Sequence, residues 1–253
     1  MNGRLNCDIF NSQRYLLNMI NLRILLTKSS PTFCLMYSGG NTYNVEIAKA
    51  KLILRKVNIS PSVMNAHNLA LRKSFACYPI KKTIVSTFTI STSALTWEES
   101  IYSGALPSRV VIGMVLNKAF VGDSLENPFN FQHFNLNSIN LKCTGALSPY
   151  KEAIKFDINN NEYISGFRTL TLGVDKSELG NNISRTDYKN GYTLFAYDFT
   201  PDLCSSEHFN IQRTGNLNLV IGFEKKLPEA VTLIAYFEFD DVIYIDSNRQ
   251  VVE

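Results

Sequence analysis

Two stretches near the C-terminus constrain the fold most. Between Asn216 and Glu224, Leu217, Leu219, Ile221 and Phe223 alternate with Asn218, Val220 and Gly222. Between Val231 and Asp240 the residues Val231, Leu233, Ala235, Phe237 and Phe239 keep the same period of two, and Ile243 and Ile245 extend it. A two-residue period places one set of side chains on one face of a strand. Each stretch is therefore predicted to be a strand with one face against a core. Such a strand needs both a sheet and a second layer to cover it.

Other segments read the same way. Thr83–Ser91 is rich in β-branched residues, and Arg109–Leu116 is apolar on both faces, as a central strand would be. Ser138–Cys143 alternates Ile139 and Leu141 with Asn140 and Lys142, and Tyr192–Phe199 is a strand ended by Thr200-Pro201-Asp202. Turn clusters separate them: Asn159-Asn160-Asn161, Gly180-Asn181-Asn182 and Asn190-Gly191. The pattern predicts an all-β fold, an antiparallel sandwich or jelly roll. In the first sixty residues, Asn21–Thr27, Thr32–Tyr37 and Tyr43–Ile59 are predicted strands, separated by a turn at Ser29-Ser30-Pro31 and a loop at Ser38-Gly39-Gly40-Asn41.

Two helices are predicted. Ser60-Pro61 is a helix start, with a good N-cap followed by a proline at the first helical position. Val63, His67, Ala70, Leu71 and Ser74 then share one face of a helix at about Pro61–Phe75, and Tyr78-Pro79 ends it. Tyr163–Gly173 is a shorter helix inserted between strands.

Hydrophobic residues make up 45% of the 253-residue chain and charged residues 19%, which excludes wholesale disorder. The net charge of +3 is too weak to argue for a nucleic-acid surface, and the pairs Lys81-Lys82 and Lys225-Lys226 stand apart. The longest apolar runs, Val110–Leu116 and Val231–Phe237, are strand-sized, and Met1–Leu5 opens polar, so a soluble, cytosolic protein without signal peptide or membrane span is expected. Cys7, Cys34, Cys77, Cys143 and Cys204 are odd in number and widely spaced, so reduced, mostly buried thiols are expected.

No catalytic constellation is visible. His67 lies on the predicted helix's apolar face, as a packing histidine would. His133 lies in the aromatic run Asn127–Phe134 (NPFNFQHF), whose Phe129, Phe131 and Phe134 are expected to anchor a loop in the core. His208 follows Ser205-Ser206-Glu207, and a Cys204/His208 dyad has no orienting third group. No two histidines share a metal-ligand spacing. Glu98-Glu99 and Asp240-Asp241 are acidic pairs of the kind any protein carries. Phosphate-binding glycine loops and the nucleophile elbow are absent, and the Asn-x-Ser/Thr matches at Asn58 and Asn182 mean little without a secretory signal. The expectation is that no residue is catalytic, cofactor-binding or metal-binding.

Several segments together resemble the major capsid proteins of Polinton/Maverick elements and the related adintoviruses: Asn127–Leu136 (NPFNFQHFNL), Ile183–Pro201 (ISRTDYKNGYTLFAYDFTP), Gly215–Asp246 (GNLNLVIGFEKKLPEAVTLIAYFEFDDVIYID), Arg55–His67 (RKVNISPSVMNAH) and Leu106–Val115 (LPSRVVIGMV). The matches stay in order from about Cys7 to the end. The resemblance implies a double jelly roll, two eight-stranded sandwiches side by side, with three subunits forming a capsomer. It further implies that residues 1–59 are the last strands of an incomplete first jelly roll, 60–77 a connecting helix and 78–253 the second jelly roll. Thr144–Pro149 replaces the family's usual hairpin, and Asp157–Glu162 is Asn-rich. The function implied is structural, in a virion or as the remnant of an integrated copy, with self and other capsid proteins as partners and no direct contact with a specific nucleic-acid sequence or a membrane. A β-sandwich binding module for carbohydrate or protein is the alternative. A jelly-roll enzyme is a second rival, but a metal-dependent one would need two His and a carboxylate at close spacing.

Overall fold

The computed structural model describes residues 3–252 except 6, 13, 42, 145–148, 175–181 and 201–210. In chain order the elements are α1 (Asp8–Asn11), α2 (Pro31–Cys34), α3 (Pro61–Leu71), β1 (Ala76–Ile90), β2 (Thr96–Ala105), β3 (Arg109–Leu116), α4 (Asn117–Val121), β4 (Leu136–Thr144), β5 (Ile154–Lys155), α5 (Ile164–Gly173), α6 (Arg185–Lys189), β6 (Leu194–Asp198), β7 (Thr214–Phe223), β8 (Val231–Ile245) and β9 (Val251–Val252). They fall into two compact units, one of residues 29–43 and 83–239, the other of residues 1–28, 44–82 and 240–253.

The larger unit is a sandwich of two antiparallel sheets, ordered β1-β8-β3-β6 and β2-β7-β4-β5. The pairing is nested. β1 lies beside β8, β2 beside β7, β3 beside β6 and β4 beside β5. This is the order of one long two-stranded ribbon folded over on itself. The inward faces are those read from the sequence. Leu217, Leu219 and Ile221 of β7 and Val231, Leu233, Ala235 and Phe237 of β8 are fully buried. Across the interior the Tyr102 ring lies 5.1 Å from Phe237 and 5.4 Å from Phe239. β3, apolar on both faces, sits between β8 and β6 as a central strand should.

The smaller unit carries α3. Ser60 caps it, its side chain accepting from the Val63 N–H at 3.5 Å. The helix ends at Leu71, four residues earlier than the sequence suggests. Its covered stripe is Met64, His67 and Leu71, whereas Val63 and Ala70 are exposed. Tyr78 on β1 anchors the preceding chain: its hydroxyl accepts from the Leu17 N–H at 3.1 Å and donates to the Tyr15 carbonyl at 3.1 Å. Tyr244 and Ile245 of β8 pair with Val252 and Val251 of β9.

Three expectations are corrected. Among the described residues of the first sixty there is no strand. Asn21–Thr27 and Tyr43–Ile59 are irregular, and Thr32–Tyr37 is largely the short helix α2. β propensity expresses a fit to a neighbouring pleated surface more than a backbone preference. These segments have no neighbouring strand, and Leu25, Ile53 and Leu54 stay exposed. Second, β2 was not predicted. Its ladder to β7 shifts register between Ser100 and Tyr102, which breaks the period of two. Third, Cys7, Cys34 and Cys77 are exposed rather than buried, and Cys143 is half-buried. Cys7 and Cys34 flank or end the one-turn helices α1 and α2, neither of which has a buried residue. The turn at Gly180-Asn181-Asn182 (apart from Asn182), the strand end at Pro201-Asp202 and the centre of the Thr144–Pro149 hairpin lie outside the described residues.

Candidate functional site

The run Asn127–Phe134 links α4 to β4 and is tied at almost every residue. The Asn127 side chain accepts from the Phe129 N–H at 2.9 Å, making a local turn. The Phe131 N–H donates to the Gly191 carbonyl at 2.8 Å, and the Thr193 N–H donates back to the Phe131 carbonyl at 3.0 Å. The Gln132 N–H reaches the Met114 carbonyl at 3.0 Å. Phe134 and Asn135 then take positive φ angles of 46° and 52° as the chain turns into β4. His133 closes this turn, its Nδ1 accepting from the Asn135 N–H at 3.0 Å.

The three phenylalanines part company. Phe134 packs on the core, as expected. Phe129 is 64% exposed, with the Phe33 ring edge-on at 5.9 Å. Phe131 covers the outer face of the β1-β8-β3-β6 sheet, where a Cβ on Gly113 would come within 2.6 Å of its ring.

The loop Asn190–Thr193 that holds Phe131 follows α6. Ser184 and Asp187 form a capping box there, Ser184 Oγ accepting from the Asp187 N–H and the Asp187 carboxylate accepting from the Ser184 N–H, both at 3.1 Å. The Ser184 hydroxyl, donating to the Asp187 carboxylate at 2.6 Å, and then the Ser184 N–H hold that carboxyl below its usual pKa. The sequence reading missed this helix and with it Lys189; Ser184-x-x-Asp187 is the signal that marks it.

Between the two loops lies a cleft of about 290 Å³, lined by Asn130, Gln132, His133, Lys189, Asn190 and Gly191. Lys189 Nζ is half-buried and held by neutral acceptors, the Ile158 carbonyl and Asn161 Oδ1, both at 3.3 Å, with the Tyr163 ring centroid at 5.9 Å. Among the described residues no carboxylate lies within ion-pair distance of it. Burial first, and the Lys189 charge second, lower the His133 pKa, so the ring is neutral at pH 7. With Nδ1 an acceptor, Nε2 carries the proton. Gly191 takes φ 121°, and a Cβ there would meet Asn130 Oδ1 at 2.8 Å, so glycine lets the two loops close on each other.

A second feature is the outer face of the same sheet. Val85, Val111, Gly113, Leu194, Ile234 and Tyr236, with Phe131, line an almost wholly apolar groove of about 290 Å³. The outer face of the other sheet carries Glu98 and Lys142, paired at 3.4 Å across Asn218 and Val220 of β7. An apolar groove of this kind on a sheet's outer face is a candidate contact surface. At its end Arg109 lies between Asp198 at 3.7 Å and Glu238 at 3.6 Å.

Behind the cleft, Tyr188 is fully buried among Phe156, Tyr163, Phe167 and Phe195, with ring centroids 5.4–6.5 Å away. Its hydroxyl has no hydrogen-bond partner among the described residues, and burial raises its pKa well above the usual tyrosine value. A buried donor without a partner costs free energy that phenylalanine would not incur. Tyr188→Phe is therefore expected to raise the unfolding free energy by up to about 1 kcal/mol. A lower midpoint in urea would show instead that the hydroxyl has a partner.

His67 lies half-buried in the smaller unit, its Nδ1 buried without a hydrogen-bond partner among the described residues. Cys204 and His208 lie outside the described residues. Asp240 pairs with Lys81 at the surface, and Glu98 with Lys142. Among the described residues no three His, Cys, Asp or Glu side chains cluster as metal ligands, and no helix is long and apolar enough to cross a membrane.

No family model matches the chain. It is 22% identical over 256 residues to an uncharacterized protein of Caenorhabditis elegans. The match covers 98% of this chain and 61% of that relative, so the chain spans less than two thirds of the relative's length.

Proposed function

We propose that this chain is a structural protein, a viral-type major capsid protein of the Polinton/Maverick kind or the remnant of one in an integrated copy, building capsomers without catalysis. The nested strand pairing carries this reading. A ribbon folded so that its first strand meets its eighth and its fourth meets its fifth, in two facing sheets, has jelly-roll connectivity. The ordered segments from Arg55 to Asp246 that resemble Polinton/Maverick capsid proteins support the choice of family. The apolar groove on the outer face of this sheet, lined by Val85, Val111 and Ile234, suits a protein made to pack against neighbours. A binding module is the second reading, and the polar cleft at Lys189 is the observation that favours it.

Size-exclusion chromatography with light scattering, followed by negative-stain microscopy, tests the proposal on the full chain. Self-association is the expected result, with the trimer of the family as the reference species. A protein that stays monomeric at every concentration tested, with the same sandwich intact by circular dichroism, would reject capsomer building.

A further inference from the structure

We infer that the cleft between the Asn127–Phe134 loop and the Asn190–Thr193 loop is a binding site for a phosphate-type oxyanion. The lining is one-sided in charge. Lys189 brings an ammonium; Asn130, Gln132 and Asn190 bring three carboxamides; His133 brings a neutral ring with a proton on Nε2; and among the described residues no carboxylate lines the space. The ammonium is placed before any ligand arrives. Ile158 and Asn161 hold Nζ through neutral oxygens and Tyr163 lies beside it, so ordering this long side chain costs the ligand little. A half-buried cation whose partners among the described residues are neutral retains most of its capacity to attract an anion, and a charge-assisted hydrogen bond is the stronger kind.

The walls are equally fixed. The capping box at Ser184 and Asp187 sets α6, whose last residue is Lys189. The Phe131 hydrogen bonds to Gly191 and Thr193 lock one loop to the other. A volume of about 290 Å³ admits a phosphate and a small organic group attached to it. Neutral donors around one cation also disfavour a second cation, so a metal ion is the wrong occupant.

Isothermal titration of the full chain with inorganic phosphate, and separately with ribose 5-phosphate, tests the site, with the His133 ring resonances followed by NMR. Saturable binding that shifts the His133 signals is expected for at least one of the two ligands. Tighter binding of ribose 5-phosphate would identify a phosphate monoester as the occupant, and equal binding a free oxyanion. Lys189→Gln should weaken binding by about tenfold or more, whereas Lys189→Arg, which keeps the charge, should retain most of it. Far-ultraviolet circular dichroism identical to the parent shows that each variant is folded. The inference is overturned if neither ligand binds saturably, if His133 does not respond, or if folded Lys189→Gln binds as the parent does. Self-association is measured separately, so failure here leaves the capsid reading standing, and a monomeric protein leaves this site standing.

Discussion

Phe237→Ala is expected to lower the unfolding free energy by about 3–5 kcal/mol, the range for deleting a buried aromatic ring from a core. Phe237 is fully buried, pairs with Val110 across the β3–β8 ladder and packs its ring against Tyr102 of the opposite sheet. Its removal therefore opens a cavity at the interface between the sheets. The lining there is strand on both sides, so the backbone ladders resist collapse into the space. Against a total stability of about 5–15 kcal/mol the loss is a large fraction, and part of the protein is expected to be unfolded at 37 °C. Urea denaturation checks the value. Val85→Ala, on the outer face and 57% exposed, is the control and should cost less than about 1 kcal/mol. Equal shifts for the two variants would mean that the sandwich interior is misassigned.

The interior of the sandwich was legible in the sequence because burial there follows period two along most of both strands. Leu217 to Phe223 and Val231 to Phe239 alternate inward as read, and the short helix predicted over Tyr163–Gly173 stands at Ile164–Gly173. The pattern fails where the ladder itself is irregular. In β2 the register shift after Ser100 puts Ile101 and Tyr102 side by side, and no alternation survives to be read. In Tyr43–Ile59 the error runs the other way. Lys51 to Val57 alternates well, yet no strand lies beside it, and periodicity alone cannot say whether a partner exists.

The candidate site was half legible. The Asn127–Phe134 run stood out by composition, and His133 lies in its cleft. Lys189 did not stand out, because the cleft is made by a contact between residues some sixty positions apart that only the fold creates. Phe129 and Phe131 were misread for a related reason. Aromatic residues in a loop look like core anchors, and nothing local distinguishes an inward ring from one on an outer sheet face.

Gly173→Ala is expected to destabilise the protein by about 1–3 kcal/mol, although α5 would gain from it as a helix. Alanine is favoured over glycine in a helix interior by about 1 kcal/mol, an advantage that fades at the last residue. The buried stripe of α5 is Gly166, Thr169, Leu170 and Gly173, spaced so that one face lies on β6 with a glycine at each end. A Cβ on Gly173 would come within 2.8 Å of the Ala196 carbonyl carbon and oxygen, and within 2.7 Å of its Cβ. The obstacle is strand backbone, which cannot rotate away as a side-chain tip can. The helix must lift, which uncovers β6, the edge strand of its sheet. Overpacking therefore outweighs propensity. Gly166→Ala meets Phe156, Tyr188 and Phe195 instead, at 2.3–3.0 Å, in a cluster of rings with little room to yield, and the same sign is expected. Thermal unfolding of the two variants checks both. A fall of roughly 2–4 °C accompanies each kcal/mol lost in a domain of this size. An unchanged or higher midpoint for Gly173→Ala would show that α5 does not rest on Ala196 as closely as its two glycines allow.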